Sequence, residues 1–285
     1  MSANHSIQSD VITANVEFYR QVAFEYDRYE SCTFDHDLQR MLETDLDRMA
    51  NNGVSLGRAV SCLDCGGGTG NLTLKMLRRG WTVTVVDISP EMLTILEKKL
   101  ASKGFRATLV NEAIETFLDS TSESYDLIAF SSVLHHLYSY LSIIYKAAQK
   151  ISPGGYFYSN FDPVVPRFPR LIGFADSLDV IATKLLYHRS DFLPGVSRRV
   201  RKLFLREDPL HRRVVAGAGD LAEYHAHTGI SDLRVVGALR DNGLEIVEHS
   251  RYAMGRTAFV RALSRQFHMH ESFKIIAQRP LGHRA

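Results

Sequence analysis

The stretch LDCGGGTGNL at residues 63–72 constrains this chain more than any other. Ala59, Val60, Cys62 and Leu63 make a short apolar run that ends at Asp64, the pattern of a buried strand. Gly66, Gly67, Gly68 and Gly70 come next, and apolar residues resume at Leu72, Leu74, Met76 and Leu77, with spacings that can face a sheet from a helix. Strand, glycine turn and helix in that order present backbone without Cβ atoms, on which a ligand can lie directly. The spacing narrows the ligand. A dinucleotide turn needs G-x-G-x-x-G, with pyrophosphate on the helix N-terminus; counted from Gly66, its last position falls on Asn71. The pattern that fits is G-x-G-x-G preceded by an acid, and a phosphate-free ligand with an ammonium group would account for that acid.

The chain beyond repeats strand and helix. Trp81 to Val86 alternates and then turns wholly aliphatic, and ends at Asp87. An acid at the end of the strand after a glycine turn can accept two hydrogen bonds from vicinal ribose hydroxyls. Ser89 and Pro90 supply the N-cap and first position of the next helix, whose face is Leu93, Leu96 and Leu100 and whose end is Gly104. Ala107 to Val110 is a third strand, followed by Asn111-Glu112-Ala113, and Tyr125 to Phe130 is a fourth, running into SSVLHHL. Leu141, Ile144, Tyr145 and Ala148 mark a helix that ends before a turn at Ser152-Pro153-Gly154-Gly155, and Tyr156 to Phe161 is a fifth strand. Ser231 caps a helix carrying Leu233, Val236 and Leu239; Leu244 to Val247 and Phe273 to Ala277 are strands six and seven.

Residues 63–72 with Asp87 resemble the class I S-adenosylmethionine (SAM)-dependent methyltransferases of the small-molecule type. The resemblance implies a Rossmann-like α/β fold: a seven-stranded, mostly parallel sheet with an antiparallel C-terminal hairpin and helices on both faces. It implies SAM across the carboxyl ends of strands one, two and four, with Asp64 and Cys65 at the methionine end and Gly66, Gly68 and Gly70 beneath the adenosine. Asp87 and Ile88 then hold the ribose side, Met92, Glu112 and Ala113 the adenine, and Ser131 the end near the methyl group. Ser131-Ser132-Val133-Leu134 stands where methyltransferases of nucleobase nitrogens carry an Asn-Pro-Pro-Tyr tetrad, which argues against such acceptors. His135 and His136 come next, and either can serve as a base for a hydroxyl or an acidic carbon.

Three segments lie outside this core. Residues 1–55 read as a helical lid: Phe18, Tyr19, Val22, Ala23 and Tyr26 share one face of a helix over Val16 to Tyr29, and Leu38, Met41, Leu42, Leu46 and Met49 continue the period. Tyr19 and Tyr26 are lid candidates against the cofactor, although a helix packed on the core has the same pattern. Residues 162–229 interrupt the alternation with prolines and an apolar stripe from Leu171 to Leu185, and read as an inserted substrate cap between the core segments 56–161 and 230–285. Phe259, Ala262, Leu263 and Phe267 form an extra helix, another pocket wall or a surface for a homodimer. The basic run at 198–213 would suit an anionic substrate or a peripheral membrane contact, and a solvated helix face equally.

Composition excludes rather than assigns. A net charge of +2 gives no global field for nucleic acid. Three cysteines, two of them Cys62 and Cys65, are too few for a structural zinc site, and the pairs His225/His227 and His268/His270 lack an acidic cluster, so no metal is expected. The N-terminus has no basic-then-apolar signal, which points to the cytoplasm. The expected activity is SAM-dependent methylation of a small hydrophobic molecule at oxygen or activated carbon. Two alternatives stay open: a SAM-binding protein without transferase activity, and a nicotinamide-dependent oxidoreductase, which would need a parallel C-terminal sheet.

Overall fold

A computed structural model describes residues 2–24, 26–29, 33, 35–52, 59–165, 222, 224–225, 228–253, 266 and 271–281, with side chains from residue 7 onward except at 28, 29 and 52. Most of the 162–229 insertion, the 198–213 basic run, the 259–267 helix and His227, His268 and His270 lie outside these residues. The described elements are α1 (Ser2–Val22), α2 (Tyr26–Tyr29), α3 (His36–Asn52), β1 (Ser61–Cys65), α4 (Thr73–Arg78), β2 (Thr82–Asp87), α5 (Pro90–Lys103), β3 (Thr108–Asn111), α6 (Ile114–Ser120), β4 (Tyr125–Ser131), α7 (Tyr140–Gln149), β5 (Ile151–Pro163), α8 (Asp232–Asp241), β6 (Glu245–Tyr252) and β7 (Ser272–Gln278). Among the described residues no helix is long and apolar enough to cross a membrane.

The seven strands form one sheet in the order β3-β2-β1-β4-β5-β7-β6. All pairs from β3 to β5 are parallel, and β7 runs antiparallel to both of its neighbours. That single reversal removes the parallel C-terminal sheet the oxidoreductase alternative required. Each face of the sheet is covered. Leu38, Leu42, Leu46 and Met49 of α3 pack with α4 and α5 side chains on one face, and the apolar stripes of α6, α7 and α8 pack on the other. Leu42 and Leu46 are fully buried, and truncating either to alanine should cost about 2–5 kcal/mol. On the α3 face a buried polar chain also crosses the layers: Asp45 accepts from Lys274 Nζ at 2.6 Å and from the Tyr158 hydroxyl at 2.9 Å. Burial lifts the Asp45 carboxyl, with Lys274 opposing it, and pushes the Tyr158 phenol well up.

The seven strands with their antiparallel C-terminal pair and the Ser89–Pro90–Gly104 helix agree with the sequence reading: Ser89 Oγ accepts the Met92 N–H, and Gly104 closes α5 at φ +69°. Other details differ. The aromatic helix expected over Val16 to Tyr29 begins at Ser2, stops at Val22, and restarts as the single turn α2, because the second piece is tied elsewhere. Asp27 Oδ1 accepts the Thr69 hydroxyl at 2.5 Å, and Asp27 also pairs with Lys99 of α5, which pulls α2 onto the glycine turn. The Ser152–Gly155 turn is the start of β5, where Gly154 and Gly155 exchange hydrogen bonds with Arg279. Ser231 stands at the cap position of α8 without a side-chain bond, and the Asp232 carboxylate takes the Leu233 N–H instead. β6 extends beyond the expected Leu244 to Val247 at its far end, to Tyr252.

Candidate active site

The parallel strands β1, β2 and β4 end on one side of the sheet, where the topology changes direction and open α/β sheets hold ligands. A cleft of about 1160 Å³, its mouth included, opens there. Its floor is the turn after β1. Gly66 adopts φ +66° and extends the ladder by donating to Val86 O at 2.7 Å, while a Cβ at this position would stand 2.7 Å from Val133. Gly68 adopts φ +53° with open space where a Cβ would point, and its N–H donates to Asp87 Oδ2 at 2.8 Å. Asp87 also accepts the Ser89 N–H at 2.8 Å, so one carboxylate at the end of β2 sets both the glycine turn and the start of α5. Burial raises its carboxyl, against the pull of the Ser89, Gly68 and Ile88 N–H groups.

Asp64 is the second acid of the floor. Its carboxylate accepts the Thr73 hydroxyl at 2.5 Å from the first residue of α4. Burial pushes its pKa up to about 7, held back by Thr73 and raised further by Asp87. A cationic group beside Asp64 would favour its charged form, whereas a pyrophosphate there would meet no positive partner among these two acids.

The roof comes from the far end of the chain. The Tyr19 hydroxyl on α1 lies 2.7 Å from His136 Nε2, and His136 Nδ1 lies 2.7 Å from the carbonyl of Ala222. A carbonyl only accepts, so the hydrogen sits on Nδ1, and the Nε2 lone pair receives the tyrosine O–H. Burial, with the His135 ring beside it, holds the His136 imidazole well below its usual range, and the ring is neutral near pH 7. Asn15 reaches the same turn, donating to Val11 O at 2.9 Å and His136 O at 3.4 Å. Gln8 donates to Glu115, whose other oxygen accepts Lys146 Nζ at 3.1 Å.

The cleft brings together eleven of the residues expected from sequence. Asp64, Gly66, Gly68, Asp87, Ile88 and Met92 line the β1–β2 side, Ala113, Ser131 and His136 the β3–β4 side, and Tyr19 and Tyr26 the roof. Four others stand off the wall. Cys65 is fully buried in the sheet core. Gly70 serves packing, because a Cβ there would meet Leu96 at 2.3 Å. Glu112 is absent from the wall, where the acid is Glu115 in the first turn of α6. His135 is buried behind His136, its Nδ1 2.8 Å from Asp162. Sequence reasoning missed Gln8, Val11, Asn15, Thr69, Ser132 and Tyr138. Residues 8, 11, 15 and 19 form a helical stripe that could have been found, but its polar members hid it.

Residues 62–155 match the family model described as a methyltransferase domain. Those residues carry a methyltransferase domain. This chain is 29% identical over 115 residues to the ubiquinone biosynthesis O-methyltransferase of Photorhabdus laumondii, covering 40% of this chain and 47% of that protein. The chain spans about half the length of the curated relatives it matches. In fold it is similar to magnesium protoporphyrin IX methyltransferase from Synechocystis PCC 6803 with bound S-adenosylhomocysteine (SAH), with a TM-score of 0.56 at 14% identity over 94% of this chain and 99% of that one. The [4+2]-cyclase SpnF is similar too, with a TM-score of 0.51 at 15% identity over 86% and 82% of the two chains. Methyltransferase folds thus carry other chemistry, and the reaction must be argued from the site.

Proposed function

We propose that this chain transfers a methyl group from SAM to an oxygen or an activated carbon of a small, apolar molecule. One observation carries the reading: the Tyr19–His136 hydrogen bond lies on the wall of the same cleft as the acid-flanked glycine turn. The residues suit SAM on chemistry. Asp64 suits an ammonium group, Asp87 keeps lone pairs for two ribose hydroxyls, and Ile88, Met92 and Ile114 offer apolar faces to an adenine. A bound SAM would supply a sulfonium methyl group, an electrophile that needs a positioned nucleophile more than an activated one.

The chain's own part is placement and proton removal. α1 covers the cleft beside His136 through Tyr19 and Asn15. His136 Nε2 is a neutral acceptor already bonded to the Tyr19 hydroxyl; a substrate O–H that donates to the Tyr19 oxygen can pass its proton along that bond as the acceptor oxygen attacks. The relative named for an O-methyltransferase supports oxygen over carbon. The test is incubation of the full chain with SAM and a panel of phenols and hydroquinones, scoring SAH release. Turnover of at least one class, lost in His136→Gln, supports the reading. Tight SAH binding with no turnover of any class would favour SAM binding without transfer.

A further inference from the structure

Among the described residues only two other than glycine hold a positive φ, Ser132 at +61° and Phe161 at +66°. They are neighbours: Ser131 pairs with Asn160 across β4 and β5, and the Ser132 N–H donates to Asn160 O at 2.8 Å. Left-handed backbone on such residues costs on the order of 1–3 kcal/mol and persists where the surroundings over-determine it. At Phe161, a buried residue, it coincides with a break in the β5–β7 register between Asn160 and Asp162, a bulge that re-aims the end of the strand.

The side chain re-aimed by that bulge is Asp162, wholly buried. Its Oδ1 accepts the backbone N–H of His135 at 3.2 Å and lies 2.8 Å from His135 Nδ1, and its Oδ2 accepts the Ser159 hydroxyl at 3.3 Å. A carboxylate opposite Nδ1 places the hydrogen there and fixes the ring. The His135 ring lies 3.9 Å from that of His136, centroid to centroid, at 41° between planes. Resting on the reading that His136 takes the substrate proton, we propose that Asp162 is a positioning residue: it fixes the His135 ring, which fixes the plane in which His136 meets Tyr19. The ionisable groups around this stack are Tyr19 from α1, Asp162 from β5, and His225, whose N–H donates to His135 O at 2.8 Å; none of them has to titrate. The strained turn at Phe161 aims an acid inward from the end of a strand.

The experiment is long-range proton–nitrogen correlation of the histidine rings in the full, histidine-labelled chain and three variants. Unaltered protein should show His136 as one neutral tautomer with its hydrogen on Nδ1. Asp162→Asn keeps the accepting oxygen and should preserve that pattern. Asp162→Ala should average the two nitrogens of His136, reducing the difference between their shifts at least about twofold. His135→Asn keeps a donor for the carboxylate but removes the ring; it should do the same, and it carries the test if Asp162→Ala does not fold. An unchanged His136 in His135→Asn, or in a folded Asp162→Ala, overturns the proposal. A change in Asp162→Asn as large as in Asp162→Ala would assign the effect to charge and overturn it too. SAH release from SAM and the phenol panel by the unaltered chain, and its loss in His136→Gln, test the underlying reading separately, since the ring spectra need no ligand.

Discussion

The floor and the roof of the cleft are built in opposite ways. The floor is local: β1, four glycines, α4 and the end of β2 occupy residues 61–89, and Gly68 bonds Asp87 only 19 positions away. The roof is assembled over distance, since Tyr19 reaches His136 across 117 positions and Asn15 the same residue across 121. A floor of this kind forms with the sheet, whereas a roof held by a few side-chain bonds can open to admit a ligand. Cofactor affinity should therefore reside mainly in the floor, and turnover in the roof.

Substitutions can break that division, and the largest effect belongs to the roof. His136→Gln should lower kcat by about 100- to 1000-fold while SAH affinity, read by calorimetry, stays within about threefold; an equal loss of both would mean the two regions are not separable. Next, Asp87→Ala removes the acceptor for Gly68 and Ser89 and, in the proposed binding, for two ribose hydroxyls, and should weaken SAH binding by about 10- to 100-fold. Tyr19→Phe leaves His136 in place and should cost about tenfold in kcat, with most of the affinity kept.

Two smaller effects sharpen the comparison. Asp64 has a folded pKa raised to about 7 by burial first, so the empty protein favours its protonated form. The stability tied to that proton is complete below the unfolded pKa of an aspartate, about 4, and is lost as the pH rises through about 7. A cationic ligand group beside Asp64 favours the carboxylate. SAM affinity should then rise severalfold between about pH 6 and pH 8, with up to about one proton released on binding below pH 7, and Asp64→Asn should flatten both trends. Smallest is Asp27→Ala, which unties α2 from Thr69 and Lys99. Because that pair is partly exposed, ligand release should quicken only about two- to fivefold by stopped flow.

The same division governed how much could be read from sequence. β1, the glycine turn, β2 and the capped α5 each rest on short-range patterns, so Asp64, Gly66, Gly68, Asp87 and Met92 could be placed on the cleft wall from spacing and resemblance. His136 was legible only as one of a pair. Nothing in LHHL says which ring faces the cleft, because that choice is made by Asp162, 27 positions on, which holds His135 behind it. The N-terminal reach of α1 was hidden because Gln8 and Asn15 look like solvent positions until Glu115 and the His136 carbonyl stand opposite them. At Glu112 the resemblance points to one acid, whereas α6 brings another, Glu115, to the wall.

Both regions depend on one central claim, that the acid-flanked glycine floor binds SAM rather than a dinucleotide. Parallel calorimetric titrations of the full chain with SAM, SAH and NADH test it most directly. Micromolar binding of SAM and SAH, with no heat from NADH, is the expected result; binding of NADH with none of SAM or SAH would contradict it.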